Sequence, residues 1–152
     1  MKKIVIIILA VMALVFLLGQ AREQTPAQSN RAAQQEAAAA EFVNAVSAAV
    51  KSSPKWSGIQ ADEAGGSDYK LTLLYGDMPS NQAEVERDTR AVAHAALKEL
   101  LRQGRQPAQE HIFLTVRAHK AEIGATGQPL TRVFGRAVYD YNNDSIQYKK
   151  QQ

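Results

Sequence analysis

The chain has 152 residues, 45% of them apolar, with 18 Lys and Arg against 15 Asp and Glu and a formal charge of +3. That length builds one domain around a single modest core, and the absence of cysteine excludes disulfides, thiolate metal sites, a cysteine nucleophile and a lipid on an N-terminal cysteine. Without Lys2 and Lys3, which belong to a leader, 16 basic residues face 15 acidic ones, a net of +1; a nucleic-acid face needs a concentrated basic excess, so no nucleic acid is expected as partner.

The first segment, residues 1–21, is two lysines, an unbroken apolar run from Ile4 to Leu18, and Gly19-Gln20-Ala21. This is the order of a secretory signal. As a helix the run spans about 22 Å, short of the roughly 30 Å hydrocarbon core, which favours removal after Ala21. Its richness in Ile, Val and Leu and its poor Gly19-x-Ala21 cleavage site favour retention as an anchor through residues 4–19. Both fates put Arg22 onward outside the cytoplasm, in the periplasm or tethered to the inner membrane, because the positive end stays inside.

Residues 22–40 form a polar spacer rich in Ala and Gln. Thr25, Pro26 and Gln28 read as N-cap, first helical position and capping-box partner, and good helix formers continue to Lys51. The four alanines from Ala37 to Ala40 give no large heptad residue, which argues against a coiled coil. An apolar stripe begins only at Phe42, with Val43, Val46, Ala49 and Val50, so the helix docks by its second half. A single domain, residues 41–152, follows.

Within it, "DYKLTLLYG" (69 to 75 in its alternating part) is a strand with Tyr69, Leu71, Leu73 and Tyr75 on one face. A weaker partner strand lies near Trp56 to Gln60, joined to it by a long loop around Gly65-Gly66. Asn81 and Glu84 start a helix that Gly104 ends. Its apolar face is Val85, Thr89, Val92, Ala93, Ala96, Leu97, Leu100 and Leu101, and the Glu86–Arg90 and Glu99–Arg102 pairs decorate the other side. Residues 111–120, "HIFLTVRAHK", alternate as a strand with Ile112, Leu114, Val116 and Ala118 on one face and Phe113, Thr115, Arg117 and His119 on the other. After the turn-rich "EIGATGQP" comes a strand with Val133, Gly135, Ala137, Tyr139 and Tyr141 on one side and Arg132, Phe134, Arg136, Val138 and Asp140 on the other. A turn at Asn142-Asn143-Asp144 leads to a short terminal strand through Ile146 and Tyr148. The expected fold is α+β: an antiparallel sheet of about four strands, order α-β-β-α-β-β, with the helices on one face.

The chemistry-bearing residues do not converge. His111 and His119, eight apart on one strand, stand about 26 Å from each other, too far to share an ion. His94 lies between Arg90 and Lys98, a repulsive setting for a cation. Asp140, Asn142 and Asp144 open like a calcium loop, but Ser145 stands where the turn needs glycine and Gln151 where the bidentate glutamate belongs, which leaves a hairpin turn. "GATGQP" lacks the lysine and helix of a phosphate cradle, Ser80 belongs to a helix cap, and Asp62 and Glu63 sit in a Gly-rich loop without an apolar wall to raise a pKa. No catalytic residue, metal site or cofactor is expected. What stands out is an aromatic and basic sheet face, Phe113, Arg117 and His119 beside Arg132, Phe134 and Arg136, suited to a peptide edge, a subunit or an anionic polymer. The expected function is non-enzymatic protein contact in an envelope or secretion-type assembly; the alternative is a binding module for a small or polymeric anion on that face.

Overall fold

The computed structural model describes residues 26–124 and 127–151, with side chains from Ala32 onward. The leader, residues 1–21, the Thr25 cap and the anchor reading of residues 4–19 lie outside the described residues. Seven elements follow in order: α1 (Pro26–Ala49), β1 (Trp56–Gly65), β2 (Asp68–Tyr75), α2 (Gln82–Arg102), β3 (Phe113–Ile123), β4 (Pro129–Asp140) and β5 (Ser145–Lys150). The fold is α+β, with five strands in one sheet whose spatial order, β1-β2-β3-β4-β5, equals the chain order.

The sheet is mixed, which corrects the expected antiparallel one. β2 and β3 run parallel, from Asp68 beside Phe113 to Leu74 beside His119, and the other three pairs are antiparallel. The reason is α2: a helix between two neighbouring strands carries the chain back to the end it left, and parallel strands require such a crossover. The strand count also rises from about four to five. β1 is a full strand that reaches Gly65, and the turn at Gly66, whose φ is 57°, leads straight into Asp68, so the expected long loop is a tight hairpin.

Of α1, the part from Gln35 belongs to the compact unit Gln35–Gln152. Its exposed alanines give way at Phe42 to a docked stripe: Phe42 and Val46 are buried, Val43 and Val50 partly so, and the Phe42 ring lies 5.1 Å from that of Tyr69. Tyr69, Leu71, Leu73 and Tyr75 of β2, Leu114, Val116 and Ala118 of β3, and Ala137 and Tyr139 of β4 complete this core with Val85, Val92, Ala96 and Leu100 of α2. Both helices therefore contribute to one core layer on one face of the sheet. α2 starts as its sequence dictates. The Asn81 side chain accepts from the Glu84 amide at 2.9 Å, while the Glu84 carboxylate takes the Ser80 amide and Lys55. It ends at Gly104, whose φ of 79° lets Arg105 N–H reach the Leu100 carbonyl.

The helix faces need two corrections. Leu101, expected in the core, is 58% exposed, whereas Asp88 and Glu99 are buried. Asp88 accepts from Trp56 Nε1 at 3.0 Å and Tyr75 OH at 2.9 Å and pairs with Arg87, joining β1, β2 and α2. Glu99 is held by Arg102 in a two-point contact and by Gln103.

Candidate interaction face

No described helix packs on the second face of the sheet. Register places residues on it in cross-strand rows. One row holds Asp68 and Phe113; the next holds Glu63, Lys70, Thr115, Val138 and Gln147; a third holds Gln60, Thr72, Arg117, Arg136 and Lys149; a fourth holds Leu74, His119 and Val133. Thr72 and Thr115 are buried at its centre between longer side chains on their neighbouring strands, and Phe113 is 41% exposed.

Two bulges shape this face. In β1 the register shifts between Ala61 and Glu63, so Asp62 and Glu63 both reach partners here: Asp62 accepts from Thr72 Oγ1 at 2.8 Å, and Glu63 pairs with Lys70, raising the Lys70 pKa above its ordinary value. In β4, Gly135 faces Ala118 and Val133 faces His119, leaving Phe134 as the extra residue. A bulge puts two successive residues opposite one and switches the parity of what precedes it. Phe134 consequently turns to the helix side, where its ring meets Tyr75 edge-on at 5.7 Å. Arg132 shifts with it and pairs with Glu122 at 3.2 Å. The expected six-residue face is thus divided. Phe113, Arg117, His119 and Arg136 share the open face; Arg132 and Phe134 do not.

The structure adds a residue that sequence reasoning passed over. Lys149 stands directly opposite Arg136, and Arg136 directly opposite Arg117. Strand spacing makes this a line of three cations about 10 Å long. Like charges directly opposite one another destabilise a sheet, yet among the described residues none of the three takes part in an ion pair. Arg136 and Lys149, with Lys150 and Gln151, also line a wide depression at the β5 side. The alternation of Ile146 and Tyr148 already implied that Lys149 points the other way; its alignment with Arg136 needed the register. Of the charges on this face, Asp62, Glu63 and Asp68 lie toward β1 with Lys70 paired to Glu63, the cation row runs from β3 to β5, and Asp140 stands at the β4–β5 turn beside Gln147. His119, on the same face, has its pKa lowered, first by burial and then by the Arg117 charge, with Asp62 opposing.

The other expected sites are elsewhere. His111 precedes β3 in a turn, with φ of 52°, and its ring lies 5.1 Å from that of Tyr141, so it shares no strand with His119. Asp140 accepts from the Asn142 amide and from the side chains of Asn143 and Gln147, and Asp144 accepts from Tyr139 OH at 2.7 Å. These carboxylates hold the β4–β5 turn, and burial with the Asp144 bond pushes the Tyr139 pKa up to about 12. Among the described residues no group of three or more His, Asp or Glu is placed to hold a metal ion, and no helix is long and apolar enough to cross a membrane. A cavity of about 410 Å³ lies between the end of α2 and the β4–β5 turn, lined by Leu97, Leu101, Pro107, Tyr139 and Asp144 among others. No protein-family model, curated protein or solved structure matches the chain.

Proposed function

We propose that the domain acts outside the cytoplasm as a non-enzymatic contact module of an envelope or secretion-type assembly, and that its open sheet face receives an acidic protein partner. The observation that carries this reading is the Arg117–Arg136–Lys149 row, three aligned cations with no ion-pair partner among the described residues. Such a row lowers stability in isolation, and an acidic surface laid across it turns the repulsion into complementarity and speeds association. Val138 in the row next to it, and Phe113 one row further along the same face, offer apolar contact. The leader supports the location.

A photo-crosslinking residue in place of Val138, in the full chain in its host, is expected to give discrete protein adducts that Arg136→Glu abolishes. The same residue in place of exposed His94 on α2 is expected to give none. Equal adducts at both positions, or none at Val138, would overturn the reading. A second reading, a small or polymeric anion as the ligand, is favoured by the depression beside Lys149 and Lys150. It predicts saturable polyphosphate binding without protein adducts. The location is tested by a reporter enzyme active only outside the cytoplasm and fused after Gln152; a silent fusion at normal expression would refute it.

A further inference from the structure

The two outer strands of the sheet are finished differently. β1 carries register shifts between Trp56 and Gly58 and between Ala61 and Glu63, and bulges turn an edge away from further pairing. β5 has none. It pairs with β4 from Ser145 to Lys150 without a shift, and among the described residues no strand lies beyond it.

Which backbone groups β5 leaves open follows from the ladder. Gln151 N–H donates to the Phe134 carbonyl of β4, whereas the Ile146 carbonyl turns away from β4 and accepts from Arg90 Nη1 at 2.8 Å. Peptide groups alternate along an antiparallel strand, so Gln147 and Lys149 face β4 while Ile146, Tyr148 and Lys150 face outward. Arg90 closes this edge at the Ile146 carbonyl. Beyond it, the N–H and C=O groups of Tyr148 and Lys150 have no partner among the described residues.

The side chains select the kind of strand that fits. Lys149 and Lys150 are both exposed, one on each face of the sheet. A second copy of β5 would bring the same cations to them, which is how edge lysines oppose self-pairing; an acidic segment meets no such opposition. On the open face the Arg117–Arg136–Lys149 row ends at β5, and its next position belongs to a residue of an added strand. Because Lys149 turns its own peptide groups to β4, that residue stands opposite it in a non-hydrogen-bonded pair of an antiparallel addition. There the Cα atoms approach to about 4.5 Å and the side chains are closest. The depression lined by Arg136, Lys149, Lys150 and Gln151 lies at the same edge.

We propose that the acidic partner attaches by adding an extended segment antiparallel to β5, its backbone on Tyr148 and Lys150 and an acidic side chain on the open face opposite Lys149. This rests on the reading of that face as the site of an acidic protein partner, and it supplies the mode of attachment.

The probe is a short fluorescent peptide of alternating Val and Glu, titrated into the full-length protein and followed by anisotropy. With its Glu side chains on the open face, its Val amides turn to β5 and its Glu amides turn away. Methylating the Val amides is expected to weaken binding on the order of tenfold, and methylating the Glu amides to leave it within about twofold, at identical charge. In the protein, Lys150→Pro removes an outward N–H that the ladder with β4 does not use. It should weaken binding several-fold more than Lys150→Ala, which keeps that N–H. The peptide pair needs no variant protein, so the test stands even where the proline variant does not fold. No saturable binding of the unmodified peptide, or the reverse order of the two methylated ones, would overturn the proposal. Equal binding of all three peptides would overturn it as well, by showing an acidic segment held through side chains alone; the adducts at Val138 would still form. Absence of those adducts marks instead the failure of the reading of the face itself.

Discussion

Asp88 and Arg90, two residues apart on α2, differ in what their loss would do. Asp88 is the shared acceptor of the Trp56 indole and the Tyr75 hydroxyl, and burial together with that bond drives the Tyr75 pKa far upward. Removing it strands two donors. Asp88→Ala should therefore cost roughly 1 to 3 kcal/mol for each unpaired donor, read as a lower urea midpoint, with Asp88→Asn costing less because one acceptor remains. Arg90 reads from sequence as surface decoration beside Glu86. In the structure it also donates to the Ile146 carbonyl at 2.8 Å, on the outer strand of the sheet, where an unpaired backbone group invites another chain. Arg90→Ala is expected to cost about 1 kcal/mol and to raise self-association in sedimentation; a strictly monomeric variant would refute the guarding role. His119 supplies a pH dependence. Its folded pKa is depressed, so the folded state takes up a proton less readily than the unfolded chain. Its stabilisation is present above the unfolded value, about 6.5, and is lost as pH falls through that value toward the folded one. The melting temperature should drop between about pH 7.5 and about pH 5.5 in the wild type, and the drop should shrink in His119→Gln. Equal drops would assign it to other groups.

At the scale of elements, α2 was the most legible segment because three signals agree in it: the Asn81 cap, the helical spacing of its apolar residues and the Gly104 stop. Its limit is instructive, since Leu101 continues the apolar pattern and yet lies beyond the sheet's reach. Leu100→Ala should cost on the order of 2 to 5 kcal/mol, while Leu101→Ala should be close to neutral; equal effects on thermal unfolding would place the helix face wrongly. The strands were legible where alternation is clean, as in Tyr69 to Tyr75 and Leu114 to Ala118. It failed at Phe134, where a bulge lies. A bulge inserts a residue without any marker in composition, and every parity before it switches. That is why Arg132 and Phe134 read as part of the open face and are not. The second half of β1, "ADEAG", has no β-branched or aromatic residue to announce a strand; pairing with β2 holds it extended. The parallel β2–β3 pair was not legible either, because local pattern fixes each element but says nothing about which end the returning strand starts from.

At the scale of the molecule, the two layers leave one sheet face without a described helix, and on that face the chain keeps an arrangement that works against its own stability. Arg136 has Arg117 on one side and Lys149 on the other. Opposite charges at those positions would each be worth roughly 0.2 to 1 kcal/mol, and like charges oppose by a similar amount. If the row were merely solvated surface, its replacement would carry no penalty anywhere. If it is the contact site, stability and contact must move in opposite directions, as they do where function requires a destabilising arrangement. Arg136→Glu converts two repulsive neighbours into two attractive ones at an exposed position, so the variant should unfold at a higher temperature, by an amount equivalent to roughly 0.5 to 2 kcal/mol. The same variant should lose the adducts formed through the residue replacing Val138. Higher stability with undiminished adducts would remove the row from the contact. Unchanged stability would mean that the three side chains splay apart and do not oppose one another. Only the combination of a firmer fold and a lost partner agrees with a face whose cations are held in line for an acidic surface.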